Sequence, residues 1–249
     1  MPTFEVNRII SISGNFYVLL IRFKRKMDFQ YCKKGEGIIR LRCKFPQVNS
    51  ERHSELIISN WIQLREPNNF VSAILAAIPL MILNTLLSIM ILGIFSPFSL
   101  ADVGINPSQT ITLTIHLQDL AYLIGLVFIH ELIHLVFIPG FLMSDKTFLG
   151  ITYFGGFVYS EEVISKSRYI LITLAPFILI SIILPGILGA LDLLNPLAKI
   201  LILLNAMSSG VDMLGLILIM IQVPADAYLT SNGIRTYWKR IDKSIPGSN

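Results

Sequence analysis

The sequence predicts a mainly α-helical, polytopic membrane protein with four transmembrane helices and a small N-terminal, β-containing cytoplasmic segment. Of the 249 residues, 53% are hydrophobic and only 14% are charged, whereas soluble domains are usually about a quarter charged. Charge is sparse after residue 69, where four apolar runs each reach the ~20 residues that cross a bilayer. Residues 1–69, by contrast, are basic and contain alternating stretches that are typical of strands.

The first predicted unit is the basic cytoplasmic segment, residues 1–69. Strand-like patterns occur at 16–23 and 39–45, with turn-forming residues at 33–37 between them, and a helix or strand is expected over 55–64. The surplus of Lys and Arg could indicate a nucleic-acid or anionic-lipid partner. A cytoplasmic flank that obeys the positive-inside rule explains this surplus better, so we expect no nucleic-acid partner.

The second predicted unit is a four-helix transmembrane domain, residues 70–222, followed by a C-terminal tail, residues 223–249. Prolines within the helices are tolerated as kinks. The connection 99–116 has neither Lys nor Arg, whereas the connection 140–168 and the tail have several. The positive-inside rule therefore predicts a multi-pass protein of the cell membrane with both termini in the cytoplasm. The predicted helices cover residues 70–98, 117–138, 169–191 and 197–222.

A Gly-punctuated aromatic stretch at 150–159 lies in the long connection after the second helix. This pattern predicts a hairpin at the membrane face. A hairpin there could receive an extended substrate strand by edge pairing, or it could serve only as an interfacial aromatic anchor.

The second apolar run contains the motif His130-Glu131-Leu132-Ile133-His134. Positions i and i+4 share one face of a helix, so His130 and His134 can bind one metal ion. Glu131 is placed to take a proton from a metal-bound water. Ionisable side chains are costly in hydrocarbon, so three of them in one membrane segment predict a functional site. Solvent-exposed histidines, or a structural His-Glu-His cluster, fit these apolar surroundings less well.

A catalytic zinc usually has three protein ligands, and the remaining histidines are poorly placed, so a carboxylate is expected as the third. Asp212 is the candidate, because an unpaired carboxylate in the middle of a membrane span is costly. As an independent check, at ~1.5 Å per residue its depth differs from that of the motif histidines by only several ångström. It approximates one helical face with Asn205, Ser208 and Ser209. For the serines and Gly210, a polar stripe that holds helices together is an open alternative.

Other polar residues near the motif have competing interpretations. Glu161 and Glu162 are rival ligands from a later segment, but a solvated charge pair is the better interpretation. Asp119 is too far along the second helix. Asn205 could orient the substrate backbone or stabilise an oxyanion, and a packing role for it is equally open.

With these residues in place, the chain resembles the family known as the putative zincin peptidases, which are four-span membrane proteins. A looser resemblance extends to the site-2 proteases, although Asp212 is followed by Met213 where those enzymes have an Asp-Gly pair. The resemblance covers roughly residues 60–240. It rests on Asn60-Trp61, Glu66-Pro67, the motif 130–134, Arg168, Ala175-Pro176, the segment 205–212, and the segment 223–227 leading to Asn232-Gly233.

The resemblance implies a metalloprotease fold with His130, His134 and Asp212 as zinc ligands and Glu131 as the general base. The predicted function is a zinc-dependent, membrane-embedded endopeptidase that cleaves membrane-associated proteins or peptides by a metal-activated water. The predicted partners are the lipid bilayer and that substrate. A non-proteolytic metal-binding scaffold or a transporter-like protein is the alternative, because intramembrane ionisable residues also mark ion paths.

Overall fold

The residues described in this computed structural model are 40–42, 47–103, 117–152 and 155–240; they are mainly helical and include two small sheets. The patterns predicted at 16–23 and 33–37 lie outside them. The elements in chain order are β1 (Arg40–Arg42), α1 (Ser50–Ile58), β2 (Ile62–Gln63), α2 (Phe70–Phe95), α3 (Leu117–Phe137), β3 (Thr147–Thr152), β4 (Gly155–Ser160), β5 (Ile164–Ser165), α4 (Lys166–Pro176), α5 (Leu184–Ala190), α6 (Pro196–Ser208), α7 (Gly210–Gln222), β6 (Ala227–Asn232) and β7 (Arg235–Arg240).

Four helical runs in the described part of the chain are long and apolar enough to cross a membrane. They agree with the four predicted segments and indicate a multi-pass membrane protein. Many of their large apolar side chains are exposed, as expected where the outer face of a helix contacts lipid. The runs are α2, α3, Lys166–Ala190 and Pro196–Gln222.

The third and fourth runs are not regular α-helices. In the third, α4 ends at Pro176, and a π-helix, Phe177–Ile183, connects it to α5. In the fourth, α6 and α7 are separated at Ser209. Helix-length hydropathy predicts neither irregularity, and both lie beside the candidate site described below.

The N-terminal flank resolves the helix-or-strand alternative over 55–64 into α1 followed by β2. The Asn49 side chain caps α1 by accepting hydrogen bonds from the backbone N–H groups of Glu51 and Arg52. Asn232 in turn holds Asn49: its Oδ1 accepts from the Asn49 N–H and its Nδ2 donates to the Asn49 carbonyl.

The strands of the described residues form two separate sheets. In the first, of strand order β1-β3-β4, β3 and β4 form the antiparallel hairpin predicted over 150–159, and β1 pairs with β3 in parallel. The second has the order β2-β7-β6-β5 with antiparallel pairing throughout. The predicted C-terminal tail thus contains a hairpin, β6–β7, that pairs with strands preceding the first and third helical runs.

Two apolar clusters join the helices to the sheets, and both include Tyr169 of α4 at their margin. One packs the end of α7 on the four-stranded sheet through Leu64, Ile219 and Leu229. The other packs the end of α3 against α4 and the first hairpin. Its buried members are Leu135, Ile138, Ile164 and Ile172.

Candidate metal centre

The two motif histidines lie on one face of α3, and Asp212 approaches them from α7. His130 Nε2 is 3.2 Å from Asp212 Oδ2, and His134 Nε2 is 3.6 Å from Asp212 Oδ1. The two imidazole rings meet edge to face with centroids 4.9 Å apart. One ligand atom from each of the three residues lies within 4.8 Å of the other two, so the group could hold a metal ion. The structure thus brings together the three side chains predicted as ligands.

The far nitrogen of His134 is held by a backbone oxygen. His134 Nδ1 donates to the carbonyl of Ile172 in α4 at 2.8 Å. A carbonyl oxygen can only accept, so this bond places a proton on Nδ1 and directs the Nε2 atom toward Asp212.

The far nitrogen of His130 is held by Asn205 of α6, at 2.9 Å from Asn205 Oδ1. The Asn205 Nδ2 donates to the Pro176 carbonyl at 3.2 Å and to Ser181 Oγ at 2.9 Å. These acceptors fix which end of the amide faces His130, so His130 Nδ1 is the donor there.

Asn205 is fully buried, and its amide lies behind a candidate ligand. The observed contacts place this amide where it orients His130. The substrate-orienting role of Asn205 stays a prediction.

Asp212 follows a break in the fourth run. The hydroxyls of Ser208 and Ser209 donate to the Asn205 carbonyl of their own helix at 3.0 and 2.9 Å. Such back-bonding by Ser loosens and bends a helix, and α7 begins anew at Gly210. Asp212 therefore lies in the first turn of a new helix rather than within a continuous one.

Gly210 fits the close-packing alternative, because α2 passes directly beside it. A Cβ atom at Gly210 would lie 2.8 Å from the Met81 backbone nitrogen and 2.9 Å from its Cα. Only a glycine permits this approach, so Gly210 allows the start of α7 to pack directly against α2.

Glu131 lines a cavity of about 280 Å³ together with His134 and Asp212. Strand β4 crosses close to it, because a Cβ atom at Gly156 would overlap Glu131 Cγ and lie 3.0 Å from Oε1. The remaining wall is largely apolar and includes Ile138, Phe157, Val158, Ile164 and Ile172.

The donor set suits a divalent transition metal. Two imidazole nitrogens and a carboxylate that face one another repel unless they share a cation, either a proton or a metal ion. Two histidines and one carboxylate are a usual three-ligand set of catalytic zinc, which leaves the fourth position for water. Both outer imidazole nitrogens already carry the oxygen partners that orient such ligands.

A comparison with protein families agrees with this chemistry. Residues 123–228 match the family described as “Putative zincin peptidase”. The resemblance seen in the sequence is thereby confirmed over these residues. No curated protein and no solved structure matches the chain. The looser resemblance to site-2 proteases stays a prediction.

The residues matched to the zincin-peptidase family include every member of the candidate centre. They also include residues that the sequence interpretation overlooked, namely the Ile172 carbonyl, Ser181 and Gly156. Pro176 was a visible signal, because a proline inside a helix frees the carbonyl four residues before it. The double glycine at 155–156 was another, since glycine marks close backbone approach.

The rival candidates lie outside the centre. Glu161 forms an ion pair with Arg52 at 3.1 Å, and Glu162 accepts a hydrogen bond from Ser144 Oγ at 2.7 Å. His53 Nδ1 lies 2.7 Å from the Tyr237 hydroxyl. Each of these side chains has a structural partner of its own, which leaves Asp212 as the candidate third ligand.

Proposed function

We propose that this chain is a zinc-dependent membrane peptidase. In this proposal His130, His134 and Asp212 bind the metal, and Glu131 is the general base. The observation that carries it is the convergence of both Nε2 atoms on the Asp212 carboxylate beside Glu131, at the wall of a cavity. The family match over residues 123–228 supports the same chemistry.

Zinc bound by these ligands would act as a Lewis acid and lower the pKa of a water toward ~7. Glu131 would take a proton from the attacking water and deliver it to the leaving amine nitrogen. The hydrogen bonds from His130 and His134 to oxygen acceptors would keep both imidazoles oriented through the cycle. The cavity beside Glu131 would hold the peptide segment that is cleaved.

The substrates proposed are membrane-associated proteins or peptides of the cell membrane in which the enzyme is embedded. Three of the four helical runs of membrane-spanning length contribute residues to the centre, and the cavity wall is largely apolar. An apolar wall favours segments that are themselves apolar. The cytoplasmic placement of both termini belongs to this proposal and rests on the positive-inside rule.

The experiment is a paired assay of bound zinc and of peptide cleavage on purified full-length protein. Glu131→Gln keeps the size of the side chain but removes the base, so we expect zinc to be retained and cleavage to fall by ~10²–10⁴-fold. Asp212→Asn, which removes a proposed ligand, should lose both zinc and cleavage. Glu55→Gln, at an exposed position of α1, serves as the matched control and should leave both unchanged.

Two outcomes would overturn the proposal. Wild-type protein that binds no zinc would remove the metal centre. Zinc binding with cleavage that is unchanged in Glu131→Gln would remove the peptidase mechanism. Zinc transport into vesicles by a protein without hydrolytic activity would instead favour the transporter-like alternative.

A further inference from the structure

In the irregular stretch around Pro176, backbone oxygens accept hydrogen bonds from side chains of the metal centre and of its surroundings. In a regular α-helix, the N–H of residue 176 would bond to the carbonyl of Ile172, four residues earlier. Proline has no N–H, so Pro176 leaves that carbonyl without its usual helical donor. His134 Nδ1 donates to the Ile172 carbonyl instead, at 2.8 Å.

A second oxygen of the same stretch supports His130 through Asn205. The Pro176 carbonyl accepts from Asn205 Nδ2 at 3.2 Å, just where α4 gives way to the π-helix. In a π-helix each N–H reaches back five residues rather than four, as the Leu184 N–H does to the Leu179 carbonyl.

The π-helix also carries Ser181, the third support. Ser181 is fully buried, its Oγ accepts from Asn205 Nδ2 at 2.9 Å, and it donates to the Ile202 carbonyl at 3.3 Å. Its hydroxyl thereby ties the π-helix to α6. The orientation of both motif histidines therefore depends on residues 172–181.

We propose that Pro176 is a positioning residue for the metal centre. Because proline has no N–H, Pro176 leaves the Ile172 carbonyl free to accept the hydrogen bond from His134 Nδ1. By ending α4 in a π-helix, it places its own carbonyl and the Ser181 hydroxyl behind Asn205, which holds His130. This inference rests on the proposed metal-binding function and extends it from the ligands to the backbone that orients them.

The test compares zinc affinity in wild-type protein, Pro176→Ala and Pro196→Ala, each purified full-length and titrated against a chromophoric chelator. Alanine at 176 restores an N–H that competes with His134 for the Ile172 carbonyl. Loss of an outer partner of a metal ligand costs ~10–100-fold in affinity, and we expect a loss of that size in Pro176→Ala. Pro196→Ala, at the exposed first position of α6 where a proline costs no helical hydrogen bond, should bind zinc as the wild type does.

Cobalt substitution gives a second readout that general destabilisation would not move. Folded Pro176→Ala, verified by its helical circular dichroism, should show a shifted visible absorption of bound Co²⁺, because His134 changes orientation. Ser181→Ala leaves the backbone N–H pattern untouched and should weaken zinc binding through Asn205 and His130 alone. If Pro176→Ala does not fold, the zinc affinity of Ser181→Ala tests the inference in its place.

The outcomes separate this inference from the function on which it rests. Wild-type affinity and an unchanged cobalt spectrum in folded Pro176→Ala would overturn the role of Pro176 while leaving the metal centre in place. Wild-type affinity in Ser181→Ala together with an unfolded Pro176→Ala would overturn it as well. Absence of metal binding in the wild type would overturn both.

Discussion

At the scale of single residues, the candidate centre depends on the groups that hydrogen-bond to the proposed ligands. His130 and His134 each bind an oxygen acceptor through Nδ1, and these acceptors decide which nitrogen faces Asp212. The position of Glu131 depends on Gly156, because β4 can approach Glu131 this closely only where it has no side chain. Backbone positions with no chemistry of their own thus control where the reactive groups lie.

Gly156→Ala tests this control over Glu131. The added methyl group overlaps Glu131 Cγ, so either the carboxylate or β4 must move. We expect peptide cleavage to fall toward the ~10²–10⁴-fold loss of a missing general base, with zinc binding retained because no ligand is touched. The measurement is kcat/KM together with zinc content.

Gly125→Ala is the control for that prediction, because it lies on the same helix as Glu131 and its added Cβ would meet nothing within 4 Å. It should leave cleavage unchanged. Full activity in Gly156→Ala would mean that Glu131 tolerates displacement or is not the base.

Glu66 gives a pH prediction outside the membrane-spanning helices. Its carboxylate accepts from the Thr236 N–H at 2.9 Å and from Thr236 Oγ1 at 2.8 Å. Burial raises the pKa of Glu66 above its usual 4.5, against the opposing effects of these bonds and of the Arg235 charge. The folded state therefore holds the proton more tightly than the unfolded state. The stability from this group is complete below about pH 4.5 and is lost as the pH rises through the raised pKa.

Melting temperatures over a pH series check this sign. Relative to Glu66→Gln, whose side chain at this position does not titrate, wild-type protein should lose stability as the pH rises from about 4.5 through the raised pKa of Glu66. The comparison concerns slopes, because glutamine also changes the bonds to Thr236. A wild-type slope in Glu66→Gln would show that Glu66 does not contribute.

At the scale of elements, the sequence predicts regular structure well and interruptions poorly. Apolar length locates all four helical runs, because a run of ~20 apolar residues has few alternatives to spanning a bilayer. The same run contains no information on a one-residue slip of hydrogen bonding, so the π-helix after Pro176 and the break at Ser209 were not predicted. The π-helix is tied to Asn205 by tertiary hydrogen bonds that only the fold creates, whereas the break coincides with local bonds from the Ser208 and Ser209 hydroxyls to the Asn205 carbonyl.

The C-terminal hairpin is a different kind of omission, because its signals were in the sequence. Residues 227–240 contain β-branched and aromatic residues around Asn232-Gly233, a strong turn pair, and Gly233 has a φ of 59°. Proximity to a membrane helix favoured the simpler interpretation of a tail. The partners of this hairpin, β2 and β5, are each two residues long, too short to stand out as strands.

Gly210→Ala tests the contact between α2 and α7. Alanine at this position would press on the Met81 backbone, and overpacking of this kind costs ~1–3 kcal/mol. We therefore expect a lower free energy of unfolding and, since α7 carries Asp212, weaker zinc binding. Denaturant titration and zinc competition measure the two effects.

Gly215→Ala is the matched control in the same helix, because its added Cβ would meet nothing within 4 Å. The higher helix propensity of alanine should stabilise it by about 1 kcal/mol. Equal effects of the two substitutions would show that the contact between Gly210 and Met81 does not limit packing.

At the scale of the whole molecule, the centre draws on three of the four membrane-length runs. The motif histidines come from α3, their oxygen partners from α4 and α6, and the carboxylate from α7, while α2 braces the start of α7. The sequence predicted Asp212 because a carboxylate inside a membrane span is costly unless it is paired, and its depth in the fourth run matched that of the motif histidines. It gave only an indirect signal for the group that holds His134, because Pro176 frees the Ile172 carbonyl but does not show which donor will bond to it.

Because the ligands join separate runs, zinc should stabilise the fold as well as serve the chemistry. Zinc bound only by the folded state at 100 times its Kd adds about 2.7 kcal/mol to the free energy of unfolding. We expect a chelator to lower the melting temperature of wild-type protein and added zinc to restore it. Asp212→Asn, which removes the ligand that bridges α7 to α3, should start at a lower melting temperature and respond to neither treatment. A wild-type melting temperature that is unaffected when bound zinc is stripped would show that the three side chains are held together by the protein alone, without help from the metal.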